Sequence, residues 1–196
     1  TFPYIWIANS GEGTISKLDV NTGVELGRYR TGPGNGNPSR TTVDQDGNVW
    51  VGNRNNNTIT KVGLKEFDNC IDRNGNCVID TSTGKDDIKS WGGYFGDGQG
   101  IANAQDECVL QHIALQADGV STPYDIRMIA IDKDNNVFTG GHQTKSIFKV
   151  DGKTGKIINA AMTNGSFYGG LIDKEGNVWA ASRYFHGGVG RVLKVS

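Results

Sequence analysis

Asp46-Gly47-Asn48-Val49-Trp50-Val51-Gly52-Asn53 returns in altered form along the chain, as DKDNNVFTGG from Asp132, DKEGNVWAAS from Asp173 and, shortened at its start, YIWIANS from Tyr4. Each copy reads as a turn followed by a strand. Asp-Gly-Asn and its relatives supply the positive backbone angles of a tight hairpin, and the alternating Val-Trp-Val segment presents one face to a core. The aromatic anchors Trp6, Trp50, Phe138 and Trp179 are separated by 44, 88 and 41 residues. A period near 44 with one doubled gap is the spacing of β-propeller blades.

Composition agrees with an all-β domain. The 196 residues are 36% hydrophobic and 21% charged, enough to bury a core and too polar for a membrane span. The formal net charge is −1, which gives a nucleic acid or an anionic membrane no electrostatic hold and removes both as expected partners. The 29 glycines, with many Asn and Asp, fall at turn positions between strand-like runs. No signal peptide is recognised, and the start at Thr1, almost directly in a strand, is what a processed or clipped N-terminus would give.

The lengths fit four-stranded meanders read in order. The first blade offers strands at Tyr4–Asn9, Thr14–Asp19 and Val24–Tyr29 and lacks an innermost strand. The second offers Thr41–Asp44, Val49–Asn53, Thr58–Val62 and, after an insertion at residues 64–108, Cys108–Gln116. The third is complete, with Met128–Asp132, Val137–Gly140, Ser146–Asp151 and Lys156–Ala161. The fourth offers Gly170–Asp173, Val178–Ser182 and Gly190–Val195. The expectation is one propeller domain over residues 1–196, with about four blades or part-blades of an incomplete ring. A longer chain, or partial rings of separate chains meeting at open edges, would complete it.

NPSRTTVDQDGNVWVGN and DIRMIAIDKDNNVFTGG resemble blades of the virginiamycin B lyase-like and NHL-repeat propellers. The resemblance implies the fold over most of the chain outside the insertion. It leaves activity open, since that superfamily holds enzymes, binders and scaffolds.

Inside the insertion, Asp72-Arg73-Asn74-Gly75-Asn76-Cys77-Val78-Ile79-Asp80 resembles the calcium loops of EF-hand, dockerin and thrombospondin type 3 repeats. Side-chain oxygens of Asp72, Asn74 and Asn76, the carbonyl of Val78 and the carboxylate of Asp80 alternate as a hard cation requires, so Ca²⁺ is the expected cofactor. Cys77 stands where the pattern wants glycine, and Thr83 where it wants glutamate; Asp86, Asp87 or Asp68 could supply the late carboxylate. The competing reading is an Asp/Asn/Gly turn that binds nothing. Beyond it, Trp91, Tyr94 and Phe95 are expected either to fold the insertion back onto its blade or to form a stacking surface.

Cys70 follows the third strand of the second blade and Cys108 opens the fourth. Neighbouring antiparallel strands would bring the two within disulfide range, with Cys70–Cys77 as the competing pair. A disulfide places the protein in an oxidising compartment: extracellular, periplasmic or cell-surface.

Loops between second and third strands, and between an outer strand and the next inner one, open on the same face of a propeller. By register this face gathers Asn9, Asn53, Arg40, Arg54, Tyr124, Asp125, Arg127, His142, Phe167, Tyr168, Arg183, Tyr184 and His186, suited to anionic or hydroxyl-rich groups. The lyases that the chain resembles use histidines with a glutamate and magnesium on that face, which makes His142 and His186 the candidate bases. No glutamate lies two residues from either. His112 reads as a half-buried strand residue. The expected function is a calcium-stabilised binding or structural module with a protein or carbohydrate partner. The alternative is a lyase or hydrolase acting on a small cyclic or sugar-like substrate.

Overall fold

The computed structural model describes residues 2–92, 104–182 and 190–196. Among the described residues, fourteen strands form four antiparallel sheets in sequence order. The first holds β1 (Tyr4–Asn9), β2 (Thr14–Asp19) and β3 (Glu25–Arg30). The second holds β4 (Pro38–Val43), β5 (Val49–Asn53), β6 (Thr58–Val62) and β7 (Val109–Ala114). The third holds β8 (Ile126–Ile131), β9 (Val137–Gly141), β10 (Ser146–Val150) and β11 (Ile157–Met162). The fourth holds β12 (Gly169–Ile172), β13 (Val178–Ser182) and β14 (Arg191–Val195). Each sheet is a meander whose strands pair in chain order, and β4 packs on β1 and β8, and β8 on β12. This is the all-β blade architecture that the repeat predicts.

The four anchors occupy one register. Trp6 stands opposite Lys17, Trp50 opposite Lys61, Phe138 opposite Lys149 and Trp179 opposite Lys194. In the last three blades the lysine ammonium lies 5.0–5.4 Å from its aromatic ring centroid, a cation–π contact. In the first, Lys17 instead reaches the Tyr4 ring and the Glu66 carboxylate.

Period-2 alternation sets the core, because successive strand residues point to opposite faces. Val49 and Val51 pack toward the first sheet with Trp6, Ile15 and Tyr29, whereas Trp50 packs toward the third with Ile129, Val137 and Phe148. Met128, Ala130 and Phe138 meet Val178, Ala180 and Leu193 in the next layer. Trp6, Trp50 and Phe138 therefore face the following blade. Trp50 is 0% exposed, while Trp179, beyond which no described sheet follows, is 39% exposed. Leu171 lies on the same face opposite Trp179 and is also exposed.

Inner strands begin earlier than the sequence predicts, and the reason is local. On β4, Pro38 faces Asn53 while Thr41 faces Val51, and on β8, Ile126 faces Gly141 while Met128 faces Gly140. Each strand takes one extra residue, a β-bulge, and continues past the point where the alternating pattern breaks.

The difference in burial gives a direct check. Trp50→Ala should cost about 3–5 kcal/mol by emptying a dry inter-blade layer. Trp179→Ala should cost roughly 1–2 kcal/mol because much of its ring is already in water. Urea unfolding of the two variants measures both; equal losses would contradict the one-sided packing.

Candidate functional site: an arginine cluster on the open face

The two bulges aim side chains at the end of the sheets where β5 turns into β6 and β9 into β10. Arg40 lies in the β4 bulge and Arg127 in the β8 bulge. Arg54 is the first residue after β5. Its Nε donates to the Asn37 carbonyl at 3.2 Å and its terminal nitrogen to Asn37 Oδ1. Asn37 holds a left-handed φ of 54°, a conformation that Asn tolerates better than most residues.

Asp125 is the centre of the third blade's contribution. It is buried, at φ 54°, and its Oδ1 accepts from Arg127 Nε at 2.9 Å and its Oδ2 pairs with His142 Nδ1 at 3.0 Å. A carboxylate can only accept, so the imidazole proton sits on Nδ1. The His142 backbone N–H also donates to the Asp125 carbonyl at 2.9 Å. Burial pushes the Asp125 pKa up, but the bonds from Arg127 and His142 outweigh it and hold the group below its usual value. Gly141 makes this possible: a Cβ there would lie 2.6 Å from the Tyr124 carbonyl oxygen, and only glycine lets the two backbones approach.

Tyr168 joins the parts. Its ring meets His142 edge-on at 5.0 Å, and the guanidinium carbons of Arg40 and Arg127 lie 5.3 Å and 5.5 Å from its centroid. Burial pushes the Arg54 pKa down and the Arg127 charge pushes it further; Asp125 opposes them, ahead of a smaller lowering by Arg40 and a smaller raising by Tyr168. Arg40, Arg54, Arg127, Asp125, His142 and Tyr168 thus form one electrostatic group, with Tyr124 exposed beside it.

Other expected face residues serve the fold instead. Asn53 is fully buried, donating to the Thr31 carbonyl at 2.8 Å and contacting Thr58 and Thr60, and Asn9 repeats this with Thr14 and Ser16. Phe167 belongs to the inter-blade core. His112 is buried rather than half-buried, bonded through Nδ1 to Thr60 at 2.8 Å, and burial pushes its pKa down to about 3. Arg183, Tyr184, His186, Tyr94 and Phe95 lie outside the described residues.

The insertion leaves the second blade at the opposite end, after β6 and before β7. Cys70 and Cys108 are disulfide-bonded with Cα atoms 4.4 Å apart, and Cys77 is free and exposed. The bridge joins positions separated by 38 in sequence, a closure worth about 4 kcal/mol in chain entropy. Trp91 packs against the first core layer and stands edge-on to His112 at 5.0 Å.

Within the loop, Asp72 accepts from the amides of Gly75 and Cys77, and Asn74 and Asn76 both donate to Asp80 Oδ2 at 2.8 Å and 3.0 Å. Asn74, Asn76 and Asp80 therefore converge on one point, while both Asp72 oxygens are engaged by backbone. Among the described residues no group of three His, Cys, Asp or Glu side chains is gathered for a metal ion. Cys77 has φ 64°, the left-handed turn for which the pattern prefers glycine.

Sequence reading missed the residues that anchor this loop. Glu107, 2% exposed, accepts from the amides of Arg73, Asn74 and Asp80, while Asp106 accepts from Thr81 and from the amide and hydroxyl of Ser82. Their only signal was a pair of carboxylates next to the buried Cys108. Nothing in the spacing shows that they bond to amides some thirty residues earlier.

No family model and no curated protein matches the chain. Solved structures do. A streptogramin B lyase matches at 16% identity and a TM-score of 0.59, over 98% of this chain and 51% of that one. A Kuenenia stuttgartiensis hydrazine synthase matches at 12% identity and 0.67, over 99% and 43%. The WD40 domain of Neurospora crassa Pan2 matches at 11% and 0.58, over 98% and 43%. The chain is similar to these in propeller fold and spans about half the length of each.

Proposed function

We propose that this chain is the binding part of a β-propeller that holds its ligand on the open face and is stiffened at the opposite end by a calcium loop. The observation that carries the reading is the gathering of Arg40, Arg54 and Arg127 about Asp125 and Tyr168. Guanidinium groups held by the fold before a ligand arrives lose little freedom on binding, and they match hydrogen-bond acceptors through a fixed fork. The WD40 neighbour supports an interaction role with a protein; a carbohydrate is the alternative partner of the same face. The Cys70–Cys108 bridge favours an oxidising compartment outside the cytoplasm.

Calcium fits the insertion in part. Asn74 and Asn76 lie about Asp80 but turn their amide N–H groups to it, while their Oδ1 atoms accept the amides of Asn76 and Val78; binding would turn these oxygens inward to join Asp80, Asp72 and the Val78 carbonyl in an oxygen shell. The ion's contribution would be rigidity, since the loop and the arginine cluster lie at opposite ends of the blade.

A second reading, catalysis by a lyase or hydrolase, draws on the His142–Asp125 pair, because a histidine base needs an orienting carboxylate. It stands second because Glu175, the glutamate of that neighbourhood in sequence, lies in the turn between β12 and β13 at the far end of the sheet.

Two measurements test the reading. Nitrogen NMR of the arginine Nε groups should show Arg54 and Arg127 shifting on titration with at least one of phosphate, acetate or glucuronate; no shift with any of the three would remove the face as a ligand seat. Thermal melting with calcium at about a hundred times its Kd should show roughly 2.7 kcal/mol of added stability, lost in chelator and in Asp72→Ala. Melting indifferent to calcium and chelator would leave the loop as a hydrogen-bonded turn.

A further inference from the structure

The open face holds more positive charge than it balances. Three guanidiniums arrive from three elements: the β4 bulge, the turn after β5 and the β8 bulge. Among the described residues, Asp125 is the one carboxylate in ion-pair contact with any of them, and it holds Arg127 alone. The fold also fixes which donors remain. Asp125 occupies the Nε of Arg127, and Asn37 occupies the Nε and one terminal nitrogen of Arg54. Those contacts orient each group and leave its other terminal donors to the ligand. Arg40 is exposed and lies over the Tyr168 ring.

We propose that this seat is built for a tetrahedral dianion, a phosphate monoester, and not for a carboxylate; the inference rests on the reading of the face as a ligand seat. Counting formal charges, three guanidiniums against one carboxylate leave two in excess, which a phosphate monoester of about −1.5 to −2 neutralises. A carboxylate carries one charge and two oxygens in a plane, which a single guanidinium fork saturates. It would leave the others facing one another, the repulsion already felt by Arg54 from Arg127 and Arg40. A tetrahedral group offers three free oxygens in different directions, as donors arriving from three elements demand.

The test separates shape from charge. Calorimetry at pH 7.5 would compare inorganic phosphate and sulfate with acetate, a planar monoanion, and malonate, a dianion built of planar carboxylates. The expected result is one site that binds phosphate or sulfate at least tenfold tighter than acetate or malonate. Sulfate serves as a second dianion of the same tetrahedral shape. Affinity should fall at least tenfold in Arg40→Gln, whose exposed side chain is remote from the core. It should also fall in Arg54→Lys, which keeps the charge and loses the fork. Circular dichroism confirms that each variant is folded. Malonate binding as tightly as phosphate would overturn the tetrahedral assignment while leaving the face as a ligand seat. Phosphate binding unchanged in both variants would place the anion elsewhere and overturn the proposal. If none of the four anions binds, the proposal falls, and the arginine NMR titration decides separately whether the face binds any ligand.

Discussion

A buried carboxylate at the end of an inner strand is the interaction on which the blades depend. Asp44, 3% exposed, accepts the amides of Asp46 and Asn48, the Asn48 side chain, and the Lys61 ammonium at 3.3 Å. Asp132 repeats every contact with Asp134, Asn136 and Lys149. Asp173 keeps the Asn177 contacts and takes the Trp179 indole N–H at 2.8 Å, which with Asn177 holds its pKa well below the usual carboxylate range. One carboxylate thereby closes the turn, sets the first residue of the next strand and engages the aromatic–lysine pair across it. A charge this buried is tolerated because its acceptor sites are filled.

The same system couples neighbouring blades. Lys61 also donates to the Gly152 carbonyl at 2.8 Å, across to the third sheet. The Gln45 amide donates to Asn135 Oδ1, and Asn135 returns a bond to Asp46. Turns that are internally rigid thus hold each other at the closed end, while apolar layers fill the space between sheets. At the open end the bulges free Arg40 and Arg127 from the ladder's alternation. The closed end fixes the frame, and the open end is where the chain departs from repetition.

That division explains what the sequence disclosed. The turn and strand patterns are local, so the repeat and the register of Trp6, Trp50, Phe138 and Trp179 were legible from spacing, and the face bearing Arg40, Arg54 and Arg127 from that register joined to the way propeller loops open. The Cys70–Cys108 bridge was legible because the strands next to it were. What depended on exact register was not. Asn53 and Phe167 sit at the ends of face-ward segments yet are buried, because a one-residue difference in register sends a side chain to the other face. The Asp125 partnership with His142 and the Glu107 anchor join residues distant in sequence, and no local periodicity encodes them.

The central claim is that the buried aspartate organises its turn and, through it, the adjoining blade. Amide hydrogen exchange in Asp44→Ala tests it most directly. Exchange should accelerate at Asp46 and Asn48, whose amides Asp44 accepts, and at Gln45, whose amide bonds to the next blade's turn. Asn177, held by Asp173 in the fourth blade, should keep its protection. Unchanged protection at Asn48 would contradict the claim and leave apolar packing between sheets as what holds the turns.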